Sequence, residues 1–109
     1  MSIEQTDVVD FVTIEHGSGR VLLTISDHLN WDEDEGEHLL LLQEKMNAYL
    51  RFIESGEMEE RVPQTRGRPV TINVIGKFPL SREASKFFRL AKTTIENAGF
   101  ALAFKHEPD

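Results

Sequence analysis

Ser81-Arg-Glu-Ala-Ser-Lys-Phe-Phe-Arg-Leu-Ala-Lys-Thr-Thr-Ile-Glu-Asn-Ala-Gly-Phe-Ala-Leu-Ala-Phe104 reads as a helix running straight into a strand. Ser81 is a natural N-cap, because its hydroxyl can accept from the free amides of the first turn. Ala84, Phe87, Phe88, Ala91, Thr94, Ile95 and Ala98 then recur on one face until Gly99 stops the helix. Phe100, Leu102 and Phe104 alternate with Ala101, Ala103 and Lys105, the period of a strand covered on one side. Upstream, Pro69 to Phe78 reads as another strand, with Val70, Ile72, Val74 and Phe78 inward. Strand, helix and strand make a crossover unit, which predicts that the two strands are parallel and the connection right-handed.

The first half supplies the remaining elements. Val8 to His16 reads as a strand, and Gly17-Ser18-Gly19 turns it back as a hairpin onto Arg20 to Asp27, whose cleaner face is Val21, Leu23 and Ile25. A helix starts near Asp34, with Glu37 at capping-box spacing, and ends at Gly56; Leu39, Leu42, Met46, Tyr49, Leu50 and Ile53 form its stripe, widened by Leu40, Leu41 and Phe52. Glu57 to Arg68 is polar, holds Pro63 and Gly67, and is expected to be a long mobile loop. The order ββαβαβ predicts an α+β two-layer sandwich: a four-stranded mixed sheet with two helices on one face, formed by residues 1–109 as one domain.

Charge is distributed unevenly along this frame. The first 60 residues carry fifteen acidic and three basic side chains, the last 49 four and nine, and the whole has a formal net charge of −7. That balance repels phosphate backbones and anionic lipid, so neither nucleic acid nor a membrane is expected as partner. The chain has no cysteine, no basic and apolar leader at its start and no apolar run long enough to span a bilayer, so a cytoplasmic location is expected.

The acidity peaks in Ser26-Asp-His-Leu-Asn-Trp-Asp-Glu-Asp-Glu-Gly-Glu-His38. Asn30, Asp32 and Asp34 alternate as an EF-hand begins, but Glu35 stands where its glycine belongs and Leu41 where its bidentate glutamate belongs, which excludes that calcium loop. The carboxylates also suit the positive end of a helix, at about 0.3 to 1 kcal/mol each. His28 and His38 bracket the loop and, with Asp27 or Asp32, form a conceivable imidazole and carboxylate ligand set, although the spacing fits no metal motif. No motif of a serine hydrolase, zinc protease or phosphate loop occurs, and no cofactor is expected. Trp31 is either a lid over the edge of the core or an exposed anchor for a partner. Arg82, Lys86 and Arg89 share a helix stripe that reads as a solvated face, as a partner of the acidic first helix or as a phosphate holder.

The stretches Leu23-Thr-Ile-Ser-Asp-His-Leu-Asn-Trp31 and Glu37-His-Leu-Leu-Leu-Leu-Gln-Glu-Lys-Met-Asn-Ala-Tyr-Leu-Arg-Phe-Ile-Glu-Ser-Gly56 resemble a family of small bacterial proteins known only as a domain of unknown function. The likeness takes in Asp10-Phe11 and Ala98-Gly-Phe100 and implies no activity and no site residues.

Three functional expectations follow. The leading one is a binding module, not an enzyme, that engages a basic protein partner in the manner of an inhibitor or immunity protein, through Asp27, His28, Trp31, Asp32, Asp34, Glu37 and His38. The second is a small metal-binding protein or enzyme with a site under the same loop, built on His28, His38 and Asp32. The third is a homodimer. It pairs either through the sheet face away from the helices, where Val9, Phe11, Leu22, Thr24, Ile75, Ala101 and Ala103 are placed, or through opposite charges.

Overall fold

Residues 3–6, 9 and 11–108 are described by the structure, a computed structural model. Its elements are β1 (Phe11–Ile14), β2 (Val21–Asp27), α1 (Glu35–Glu54), α2 (Glu57–Arg61), β3 (Val70–Gly76), α3 (Arg82–Asn97) and β4 (Ala101–His106). The predicted start of the first strand at Val8, and Asp10 of the family resemblance, lie outside the described residues.

The strands form one sheet in the order β1-β2-β3-β4. β1 and β2 are antiparallel, joined by a turn in which Gly17 and Gly19 adopt positive φ, 95° and 73°, a region that glycine enters without a Cβ penalty. α1 carries the chain from β2 to β3, and α3 from β3 to β4, so those pairs are parallel, as the crossover reading requires. The fold is thus the expected α+β sandwich with a mixed four-stranded sheet.

Alternation sends every second residue to the helix side. In register, Leu23 lies beside Ile72 and Ile72 beside Leu102, while Ile25, Val74 and Phe104 form the next row. Leu42, Met46, Tyr49 and Phe52 of α1 and Ala84, Phe88 and Ile95 of α3 close over these rows as one apolar cluster. The Tyr49 hydroxyl donates to the Thr24 carbonyl at 2.7 Å, so the bulkiest side chain of that face also satisfies its polar end. Both helix caps form as expected: Asp34 accepts from the Glu37 amide and Ser81 from the Ala84 amide, each at 3.1 Å.

Three expectations need correction. Glu57 to Arg68 contains α2 and a 3-10 turn at Pro63–Thr65. Met58 is buried in the core, and the buried Thr65 donates its hydroxyl to the Val62 carbonyl at 2.7 Å. Phe78 is 37% exposed rather than inward, because β3 ends at Gly76 and the inward space there holds the Phe104 ring. Val9 packs against the core instead of lying on the far sheet face, since β1 starts at Phe11 and the alternation does not extend back to it.

Candidate functional site

The acidic loop grows out of the end of β2. Val21, Leu23 and Ile25 point to the helices, and the same alternation puts Asp27 there, at the level where the first turn of α1 presents His38. The two side chains meet with His38 Nε2 2.6 Å from Asp27 Oδ2, and the other carboxylate oxygen accepts from the Leu29 amide at 3.1 Å. His38 Nδ1 faces the Asn30 carbonyl at 3.1 Å. Trp31 lies flat on the imidazole, with ring centroids 3.5 Å apart and planes 15° from parallel. Asp27, His38 and Trp31 are 4%, 2% and 7% exposed.

Local hydrogen bonds hold the loop around this clasp. The Asn30 side chain accepts from the amides of Asp32 and Glu33 at 3.1 and 3.2 Å, forming an Asx turn, and Asp34 then caps α1. Asp32, Glu33, Asp34 and Glu37 stand exposed on the outside, and none forms an ion pair with a described residue. The result is a ridge of carboxylates on a braced support.

Of the seven loop residues singled out in the sequence, the structure therefore buries three. Trp31 is a lid and not an exposed anchor. Asp27 and His38 are spent on each other and on the backbone: both ring nitrogens face oxygens, and the ring face is under the indole, so no nitrogen is left for a substrate or an ion. His28 points elsewhere, exposed and 3.6 Å from Glu4. Among the described residues no three of the His, Asp and Glu side chains are placed to hold a metal ion, so the ligand set of His28, His38 and Asp32 does not assemble.

The other expected surfaces are laid out as follows. Phe11, Leu22, Ile75, Ala101 and Ala103 do share the sheet face away from the helices, with Phe11 42% exposed. Thr13, Thr24, Thr71 and Asn73 lie among them, so the face is more polar than the apolar residues alone suggest. Arg82, Lys86 and Arg89 are exposed; Lys86 pairs with Glu83 of its own helix at 3.4 Å, and no ion pair between described residues joins α3 to α1.

Two participants escaped the sequence reading. Lys45 is fully buried, with Nζ 2.6 Å from the Gln5 carbonyl, and ties the N-terminal segment to α1. Its position between Leu42 and Tyr49 in the apolar stripe is the signal that it points inward. Ile3 is also fully buried, and its amide donates to the Ser26 carbonyl at 3.2 Å next to the loop.

No helix among the described residues is long and apolar enough to cross a membrane. Neither a curated protein nor a solved structure matches the chain. Residues 1–108 match the model of a family of unknown function, DUF6572, and the chain belongs to that family.

Proposed function

We propose that the protein is a binding module whose acidic ridge, Asp32, Glu33 and Glu37 at the start of α1, engages a basic protein partner. The observation that carries this reading is the pairing of exposed carboxylates, without an ion-pair partner among the described residues, with a support braced by local hydrogen bonds. The loop behind them is pinned by the Asp27 and His38 hydrogen bond and sealed by Trp31. A surface held in one geometry loses little conformational freedom on binding, and a one-signed field speeds encounter with an oppositely charged partner. Because both histidine nitrogens are occupied, the loop supports recognition better than catalysis.

The test is capture from the host lysate at low salt on the immobilised protein and on an Asp32→Asn, Glu33→Gln, Glu37→Gln variant, which leaves the Asp34 cap intact. A basic protein retained by the first and lost by the second supports the reading. Retention of acidic proteins, or of the same proteins by both, overturns it.

A second reading is favoured by the uncovered sheet face. Phe11, Thr24, Asn73 and Ala103 make one row across all four strands, and the small Ala101 and Ala103 permit close approach, so a second copy of the chain could pack there.

A further inference from the structure

The sheet ends at two edges of different character. β1 is four residues long, whereas β4 runs for six, contains neither proline nor glycine, and has no strand beyond it among the described residues. The Glu107 amide donates to the Gly76 carbonyl at 2.9 Å, which sets the phase of the ladder. By alternation Ala101, Ala103 and Lys105 turn their backbone groups toward β3, and Leu102, Phe104 and His106 turn theirs to the open side. Lys105 is the one charged side chain available on β4 to discourage pairing there.

Directly beside that edge, between β4 and α3, lies a cleft of about 480 Å³. Leu80, Phe88, Leu102 and Phe104 line it with apolar surface, and Arg89 and Lys92 belong to the same lining. Both cations are exposed, and neither has an ion-pair partner among the described residues. Open backbone donors and acceptors, an apolar slot and unpaired positive charge therefore occur side by side, far from the acidic ridge in sequence and opposite to it in sign.

We infer that the β4 edge accepts a fifth strand from an acidic, extended peptide segment of another protein. Main-chain hydrogen bonds to Leu102 and Phe104 hold the segment, and of the side chains that alternation turns toward α3, the apolar ones enter the cleft while acidic ones on that same face meet Arg89 and Lys92. Charge decides against a second copy pairing through the same strand. A two-fold β4 to β4 contact sets Arg89, Lys92 and Lys105 of one copy near the same cations of the other, and like charges across an interface are unfavourable.

The isotopically labelled full chain is titrated with the capped heptapeptide glutamate-threonine-valine-threonine-valine-threonine-glutamate, whose valines and glutamates share one face of a strand, and with its counterpart carrying lysine for glutamate, while amide resonances and hydrogen exchange are followed. The expected result is that the glutamate peptide shifts and protects the amides of Leu102, Phe104 and His106, with the lysine peptide at least about tenfold weaker. Arg89→Glu with Lys92→Glu, both at exposed positions, should invert that preference with the spectrum of the fold unchanged. His106→Pro removes an outward donor without touching the β3 ladder and should weaken the glutamate peptide. Shifts confined to other residues, equal binding of the two peptides, or no shift at millimolar peptide overturns the inference. Broadening of these amides with protein concentration alone would also overturn it, by showing that a second copy takes the edge.

Discussion

The His38 imidazole and the Asp27 carboxylate meet at 2.6 Å across eleven residues of sequence, both closed off from solvent. Nδ1 carries a hydrogen because the Asn30 carbonyl can only accept, and a second proton lies between Nε2 and Asp27. His38→Ala leaves a carboxyl group buried without its partner, so unfolding in urea should show a loss of about 3 to 5 kcal/mol. Emission from Trp31, the single tryptophan, should move toward that of an exposed indole. A loss under about 1 kcal/mol would show that the pair is not the brace of the loop.

Gly76 is needed for space, not for an unusual φ. A Cβ there would lie 2.7 Å from Phe104 Cε1, 2.9 Å from Cζ and 3.2 Å from the Phe78 carbonyl oxygen. Gly76→Ala should therefore force the Phe104 ring aside and destabilise the fold by about 1 to 3 kcal/mol, as overpacking does. Thermal melting measures this, and the companion change Phe104→Leu should recover part of the loss.

At the hairpin, the Ser18 hydroxyl first and the Arg20 guanidinium second hold the Glu15 carboxyl below the ordinary glutamate range. Because the folded value is the depressed one, the hairpin's contribution is complete above the ordinary range and is lost as pH falls through the folded value. Carboxyl resonances followed through an acid titration should place Glu15 low, and Ser18→Ala should raise it. An unchanged titration in that variant would contradict the assignment.

Ala103 is exposed on the open sheet face, beside Asn73. If two copies meet there, Ala103→Glu should leave a folded monomer, because unpaired charge buried in such a contact costs several kcal/mol. If the face meets water, stability should change by no more than about 0.5 kcal/mol and the oligomeric state not at all. Light scattering and melting of the variant distinguish the two.

Much of this frame was legible from periodicity. Two strands and both long helices carry their own phase, and Asp34, Gly56, Ser81 and Gly99 punctuate them through cap and turn chemistry that acts within a few residues. What was hidden depends on how segments meet in space. Asp27 and His38 read as candidates for a partner or a metal, because nothing local says that the last inward position of β2 faces the first turn of α1 and that the two side chains meet each other. Met58 was the lone apolar residue in a run of glutamates, so its burial, and α2 with it, was masked by polarity. Lys45 was passed over for the same reason, its charge outweighing its place between Leu42 and Tyr49 in the stripe.

The central claim, that the ridge on the braced loop recognises a basic partner, is tested most directly by kinetics. Association rates of the captured partner with the wild-type chain and with the Asp32→Asn, Glu33→Gln, Glu37→Gln variant are measured across ionic strength by stopped flow. The wild-type rate should fall steeply as salt shortens the Debye length toward about 3 Å at 1 M, and the variant should start at least about tenfold slower with a shallower slope. Equal rates and equal slopes for the two proteins would contradict the claim.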